Sequence, residues 1–230
     1  SEYFKATGNT DAKHYANKTL EFICTHLKLE KGYAEALDQN LNIIRTVRRQ
    51  NPHMHMLEAC MNAYEVFQDD RYMRIVDEVM TLFCDYFFDE DTGTLSEFFD
   101  DDLNPHPQDG HKIEAGHHGE WIWLLSEYQR LSEEKKQQVS DSQNALFTFI
   151  YNHGIDWKGK GIFNVNNHQG EILDGNKRIW TSFEMLRAAY IMHEKEDFKK
   201  QAEQVIDNIL PLISENYLNN NHWLWQEILD

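Results

Sequence analysis

Two histidine-rich stretches open two of the most apolar segments of the chain, and their side chains are the ones suited to chemistry. The stretches read "NPHMHMLEA" and "AGHHGEWIWLL". In the first, His55 stands three residues before Glu58, and in the second, His117 stands three residues before Glu120. On a helix this spacing puts both side chains of a pair on one face.

An imidazole at the start of a helix suits proton transfer. The positive end of the helix dipole favours the neutral ring, whereas a neighbouring carboxylate favours the charged ring. The balance leaves a histidine that accepts and returns a proton near neutral pH, as general acid–base catalysis requires. We interpret Gly116 and Gly119 as open space beside the ring of His117, through which a substrate approaches. We interpret His53 and His118 as exposed or backbone-supporting residues.

The elements that must position these histidines are helices. Apolar residues at helical spacing predict seven of them, at 10–27, 52–68, 70–88, 117–132, 141–153, 179–194 and 197–217. Asn51 followed by Pro52 is typical of an N-cap and a first helical residue. No linker rich in glycine or serine divides the chain. We therefore predict a single domain of helical hairpins over residues 1–230.

A short motif recurs between the helices. "YAEALD", "LSEFFD" and "WQEILD" share the order apolar, any residue, Glu, apolar, apolar, Asp, and their glutamates are Glu35, Glu97 and Glu227. The glutamates are 62 and then 130 residues apart, and "GIFNVNN" from Gly161 occupies the midpoint of the longer gap without a glutamate. The motif follows every second helix, so the predicted repeating unit is a helical hairpin, stacked as an open solenoid or a closed ring.

A ring of six hairpins needs roughly 370 residues at this period. The present chain has 230 residues and supplies fewer than four hairpins. We therefore expect it to be part of a larger ring, lacking N-terminal and C-terminal portions.

Charge and cysteine content limit the partners. The chain has 22 lysines and arginines against 39 aspartates and glutamates, a net charge of −17, which argues against nucleic acid and membrane surfaces as partners. A neutral ligand such as a sugar is compatible with this negative electrostatic field. The sequence leaves open whether the protein forms a homodimer. An odd number of cysteines within apolar helical patterns predicts buried, reduced thiols and a cytoplasmic location: Cys24, Cys60 and Cys84.

Three stretches together resemble a known family. "RRQNPHMHMLEA", "AGHHGEWIWLL" and "KRIWTSFEMLRA" are similar to the N-acylglucosamine 2-epimerase superfamily, and most of all to its branch of mannose isomerases and mannose-6-phosphate-isomerase-like proteins. The resemblance implies an all-α fold, an (α/α)6 barrel of helical hairpins. It also implies a sugar isomerase or epimerase that needs no cofactor and no metal.

The resemblance also implies roles for individual residues. It makes His117, Glu120 and His55 the catalytic candidates, and Asn51, Trp180 and Glu227 the substrate contacts. The chain departs from the family pattern after Trp180, where Thr181, Ser182 and Phe183 replace a common Pro-Gln-Thr. The family's early arginine and its second catalytic histidine, near the C-terminus, lie outside these 230 residues.

The implied reaction is proton transfer between C1 and C2 of an open-chain sugar through a cis-enediol. One imidazole can shuttle the proton on one face, whereas epimerisation at C2 needs a base on each face. Interconversion of mannose and fructose is the first expectation, and epimerisation of N-acetylglucosamine is the second.

Three other readings stay open. A glycoside hydrolase of helical-hairpin type would use two carboxylates from among Glu97, Asp100 and Glu120, but would leave the histidines unexplained. A second reading assigns the histidines to a zinc or iron site, although the usual metal motifs are absent. A non-catalytic helical binding module is the third.

Overall fold

The chain is built mainly of helices. The computed structural model describes residues 1–132, 136–218 and 226–229. Within them it contains these α-helices: α1 (Glu2–Thr7), α2 (Thr10–His26), α3 (Asn51–Phe67), α4 (Asp70–Leu82), α5 (Ala115–Leu131), α6 (Lys136–Phe149), α7 (Ile179–His193) and α8 (Lys199–Leu212). The seven predicted helices are confirmed, and α1 is an additional short helix that the periodicity did not predict.

Short strands connect the helices, all of them paired antiparallel. They are β1 (Ala36–Leu37), β2 (Ile43–Ile44), β3 (Arg48–Arg49), β4 (Phe88–Asp89), β5 (Thr94–Leu95), β6 (Phe98–Phe99), β7 (Lys112–Ile113), β8 (Val165–Asn167), β9 (Ile172–Asp174), β10 (Lys177–Arg178) and β11 (Ile228–Leu229). The pairs are β1 with β2, β3 with β6, β4 with β5 and β10 with β11, and β8 lies between β7 and β9.

The described chain divides into two compact units. Unit 1 consists of Ser1–Phe87 and Glu97–Gly110, and unit 2 consists of Phe88–Ser96 and His111–Asp230. Helices α1 to α4 therefore belong to unit 1, and α5 to α8 belong to unit 2. The expectation of one domain over 1–230 stays a prediction.

Each unit has its own apolar core. In unit 1, α3 packs against α4, and its core includes Met54, Leu57, Val76, Val79, Phe83 and Phe99, none of which exposes more than a trace of surface. In unit 2, α5 packs against α6 and α7, and α7 against α8. Its core includes Trp121, Leu124, Leu125, Phe147, Met185 and Val205. Trp121, Leu124 and Leu125 of α5 are thus fully buried in this core.

Three of the even-numbered helices end in the same way. Helices α4, α6 and α8 each continue into a π-helical turn of five residues, at Phe83–Phe87, Ile150–Gly154 and Ile213–Tyr217. The last residue of each turn is buried. Counting these turns, the helices end within one residue of the predicted ends. Repeated endings of this kind are what a hairpin repeat produces.

The recurring glutamate motif braces the starts of two helices, α3 and α7. The main-chain N–H of Gln50, just before α3, donates to the carbonyl of Glu97 at 3.2 Å. The N–H of Ile179, at the start of α7, donates to the carbonyl of Glu227 at 2.9 Å. In both copies the strand after the glutamate pairs with the strand before the helix, so the repeat is a structural one.

Strand register identifies the copy that lacks a glutamate. Arg49 pairs with Phe98, Arg178 with Ile228, and Ile113 with Asn166. The residue before Phe98 and the residue before Ile228 are the motif glutamates, and the residue before Asn166 is Val165. The predicted midpoint copy is therefore confirmed as a strand. Of "WQEILD", Trp225 and Asp230 lie outside the described residues.

The predicted N-cap of α3 is wrong by one residue. The helix begins at Asn51, and Gln50 takes the cap position in a helical conformation with no side-chain capping bond. The reason is that the side chain of Gln50 is used elsewhere, since its Nε2 donates to Glu97 Oε2 at 3.0 Å.

The cysteine prediction holds only in part. All three thiols are free, but only Cys60 is buried, whereas Cys24 is exposed and Cys84 is partly exposed. Cys24 is exposed because α2 buries a single residue, Leu20, among its 17. Across the described part of the chain, we find no helix that combines the length and the apolar character needed to cross a membrane.

Candidate active site

The start of α5 is packed tightly against α7. A Cβ atom added to Gly116 would lie 2.6 Å from atoms of Thr181 and Trp180, and one added to Gly119 would lie 3.1 Å from the main chain of Glu184. The two glycines therefore allow close approach of the two helices. The interpretation of Gly116 and Gly119 as open space for a substrate is wrong, because α7 occupies that space.

This packing sets His117 against an aromatic ring. The ring of His117 lies 5.2 Å from that of Trp180 between centroids, tilted by 37°. The side chain of His117 is 7% exposed, and its Nδ1 lies 3.6 Å from Oε2 of Glu114. Two of the predicted site residues, His117 and Trp180, are thus brought together in unit 2.

Glu114 is a residue that the sequence reasoning missed. It precedes His117 by three positions, so one helical turn places its carboxylate beside the imidazole, and its main-chain carbonyl also accepts the N–H of His117 at 3.0 Å. The sequence analysis pairs His117 with Glu120, three positions after it, and not with the residue three positions before it. Glu120 itself is buried on the next turn of α5.

Glu227 reaches Trp180 through an arginine. The carboxylate of Glu227 accepts from a terminal nitrogen of Arg178 at 2.9 Å. The guanidinium of Arg178 lies 5.8 Å from the centre of the Trp180 ring, in the arrangement of a cation–π contact. Arg178 therefore links the predicted contact Glu227 to the aromatic ring that faces His117.

A second polar cluster lies further along the same helix pair. Glu184 stands one turn after Trp180 and pairs with Arg187 at 2.8 Å. The guanidinium of Arg187 lies 3.5 Å from the centre of the Trp123 ring on α5. The Trp123 ring is therefore only partly buried, and it contacts a cation.

In unit 1, His55 and Glu58 meet as the helical spacing predicts. Nδ1 of His55 lies 3.6 Å from Oε2 of Glu58, with 54% of the histidine side chain exposed. Both residues, with Glu35, line a cavity of about 680 Å³ between α2 and α3. Pro52 lines it as well, and Asn51, at the first position of α3, is partly exposed.

His53 and His118 are buried residues that support the backbone. Nε2 of His53 accepts the main-chain N–H of Tyr33 at 3.1 Å, and Nε2 of His118 accepts that of Leu95 at 3.2 Å. Burial lowers the pKa of His53 to about 4 and that of His118 to about 3, so both rings are neutral at pH 7. The prediction of a backbone role is confirmed for both, and the alternative of exposure is wrong.

Two of the three carboxylates named for the hydrolase reading make structural contacts in unit 1. The carboxylate of Asp100 accepts from the side-chain amide of Asn104 at 3.1 Å and from the main-chain N–H groups of Asn104 and Asp102, both at 2.9 Å, and these bonds lower its pKa. The buried Glu97 accepts from Gln50, as described above. These contacts hold loops and helix starts in place.

Fold and site together define a protein built of helical hairpins, with histidines and carboxylates at the starts of α3 and α5. The sequence matches the N-acylglucosamine 2-epimerase (GlcNAc 2-epimerase) family over residues 2–230. The chain therefore belongs to this family, as its motifs predict.

Individual relatives agree with this membership. The chain is 35% identical over 207 residues to a cellobiose 2-epimerase of Bacteroides fragilis, which covers 83% of this chain and 51% of the relative. It is 34% identical over 143 residues to a mannose-6-phosphate isomerase of Rhizobium meliloti, covering 60% of this chain and 36% of the relative. The chain thus spans about half or less of these two relatives.

Solved structures show the same fold. A cellobiose 2-epimerase from Bacillus thermoamylovorans superposes with a TM-score of 0.87 at 21% identity, over 100% of this chain and 61% of that one. The likeness confirms the predicted fold class, helical hairpins of the (α/α)6-barrel type.

Proposed function

We propose that the protein is a sugar isomerase or epimerase that moves a proton between C1 and C2 of an open-chain sugar. The observation that carries the proposal is the buried His117, held between the carboxylate of Glu114 and the ring of Trp180. A buried imidazole beside a carboxylate suits proton transfer, and an aromatic ring supplies an apolar surface for the face of a sugar. Membership of the epimerase family supports the same reaction class.

His117 acts as the acid/base in this proposal. The sugar presents its C1 carbonyl, and the imidazole removes the proton from C2 while O1 takes up a proton, which leaves a cis-enediol. Return of the proton to C1, with loss of the proton on O2, gives the ketose, whereas delivery of a proton to the opposite face of C2, with loss of the proton on O1, gives the epimer. The reaction moves protons only, so it needs no electron acceptor. Acid–base catalysis of this kind contributes about 10²–10⁴-fold.

The other predicted residues take supporting roles. Glu120 and His55 are proposed as further catalytic groups, and His55 fits a base that reaches solvent because it is half exposed. Asn51 is proposed as a polar substrate contact. Trp180 is proposed as the stacking surface, and Glu227 acts on it through Arg178.

The relatives favour two substrate types. The protein from Bacteroides fragilis is a cellobiose 2-epimerase, and the one from Rhizobium meliloti is a mannose-6-phosphate isomerase. We propose mannose-to-fructose isomerisation first and 2-epimerisation of a glucose-type sugar second. A homodimer and a cytoplasmic location remain predictions.

The test is proton NMR of the full-length protein with a panel of sugars in D2O. We expect deuterium to enter at C1 of a new ketose, or at C2 of an epimer and of recovered aldose, because the removed proton exchanges with solvent. Mannose, cellobiose, N-acetylglucosamine and mannose 6-phosphate separate the substrate types. Release of monosaccharide from cellobiose without exchange at C2 would instead indicate hydrolysis.

His117→Ala in the full-length protein tests the assigned base. We expect turnover to fall by about 10²–10⁴-fold with the circular dichroism unchanged. His14→Ala, at an exposed position of α2, serves as the control and should keep its turnover. Equal turnover in His117→Ala and the control would remove His117 from the mechanism.

A further inference from the structure

The second histidine of the "GHHG" stretch connects α5 to other elements of unit 2. The ring of His118 is fully buried, and its Nε2 accepts the N–H of Leu95, in β5, at 3.2 Å. The ring also stacks on Phe149 of α6, with centroids 5.4 Å apart and planes 30° apart. One side chain in the first turn of α5 thus fixes that turn against a strand and a helix.

The same device occurs in unit 1, at the first turn of α3. Nε2 of His53 accepts the N–H of Tyr33 at 3.1 Å, its Nδ1 lies 3.0 Å from the carbonyl of Arg49, and its ring lies 5.4 Å from that of Phe87. Tyr33 and Leu95 are the first residues of "YAEALD" and "LSEFFD". The same position of the repeat therefore donates to a buried imidazole in both units, and we name this bond the histidine clasp.

The clasp gives an alignment of the two histidine motifs that spacing alone does not give. When His53 is aligned with His118, His55 falls on Glu120, and the residue aligned with His117 is Pro52. His117 is therefore not the repeat counterpart of His55. It stands directly before the clasp residue His118, in the turn of α5 that the clasp bonds to β5.

We propose that His118 is a positioning residue, which fixes the rotation of the first turn of α5 and thereby holds the ring of His117 between Glu114 and Trp180. This proposal rests on the proposed function for its effect on turnover. Removal of the acceptor leaves the buried N–H of Leu95 unpaired, which costs about 1–3 kcal/mol. It also releases the turn, and a displacement of about 1 Å in a catalytic group can reduce the rate about 10²-fold.

Three substitutions at position 118 of the full-length protein test the proposal. Gln can place an acceptor where Nε2 stood, Asn is too short to reach it, and Leu fills the space without an acceptor. We expect His118→Leu and His118→Asn to lower kcat about 10²-fold with a small change in KM, and His118→Gln to recover most of the loss. The ring signals of His117 in histidine-labelled protein should move in the Leu and Asn variants and return in the Gln variant.

His53→Leu is the matched control, because it removes the equivalent clasp from unit 1. It should lose a similar amount of stability but leave the His117 ring signals unchanged. Unchanged His117 signals in His118→Leu and His118→Asn would overturn the proposal, as would a Gln variant no better than Asn. If the native protein turns over no sugar, the proposed function fails, but the NMR signals still decide whether His118 positions His117.

Discussion

The starts of α3 and α5 use one structural device for two different surroundings. In α3 the clasp residue His53 is followed two positions later by His55, with 54% of its side chain exposed. In α5 the clasp residue His118 is preceded by His117, with 7% of its side chain exposed. The clasp is constant, whereas the neighbouring histidine changes both its position and its exposure.

This difference separates the scaffold from the chemistry. The clasp bonds a main-chain N–H, so any sequence that keeps the hairpin keeps its donor. The neighbouring positions of the helix start do not make this bond, so they can carry a histidine, a glutamate or a proline. We infer that a His-x-x-Glu spacing at a helix start does not by itself identify equivalent positions of the repeat.

If the two clasps are alike, acid should weaken both. Burial holds the pKa of His53 at about 4 and of His118 at about 3, below the ordinary value near 6.5. Above pH 6.5 both rings are neutral whether the chain is folded or unfolded. Between pH 6.5 and 4 the two histidines become protonated in the unfolded chain but stay neutral in the folded chain. The free energy of unfolding therefore decreases as the pH falls. For His53 the loss is on the order of 3 kcal/mol.

Urea unfolding at a series of pH values measures this loss. Asp69, whose pKa is lowered to about 2 by its bonds with Arg71, titrates below the window. We expect the native chain to show a steeper pH dependence between 6.5 and 4 than either His53→Leu or His118→Leu. A pH dependence that is lost in only one of the two variants would show that the clasps are not equivalent.

The sequence was informative where the signal is local. Helical periodicity identified seven helices, the repeated motif identified the hairpins, and the motifs around His55 and His117 identified the family. The sequence did not reveal the hydrogen-bond partners that other elements supply. The acceptor role of His53 depends on the N–H of Tyr33, 20 residues earlier, and that of His118 on Leu95, 23 residues earlier.

The glycines of α5 show the same limit. A glycine in a sequence indicates that a side chain is absent, but not what fills the space. Gly116 was expected beside a substrate and lies instead against Trp180 and Thr181, since the pairing of α5 with α7 arises from the tertiary fold. Glu114 escapes the sequence analysis because the predicted helix starts at 117, whereas α5 begins at Ala115, which puts Glu114 at its N-cap, one turn from the imidazole.

Gly116→Ala tests the close packing that exists at the start of α5. The new methyl group would lie 2.6 Å from Trp180 and Thr181, so Trp180 must shift, and overpacking costs about 1–3 kcal/mol. We expect a lower midpoint of urea unfolding, together with a change in tryptophan fluorescence. Gly175→Ala is the control, since a Cβ there has no atom within 4 Å. Equal stability of the two variants would contradict the packing role of Gly116.

Glu227→Gln should have the smallest effect on stability. Its ion pair with Arg178 is exposed, at 66% and 38% of the two side chains, and such pairs contribute less than about 1 kcal/mol. The carbonyl that braces α7 belongs to the main chain, so the substitution keeps it. If Glu227 binds substrate, KM should rise with kcat unchanged, at low and at high salt alike. If it acts only by holding Arg178 over Trp180, the effect should shrink as salt screens the pair, so the salt dependence separates a direct contact from an indirect one.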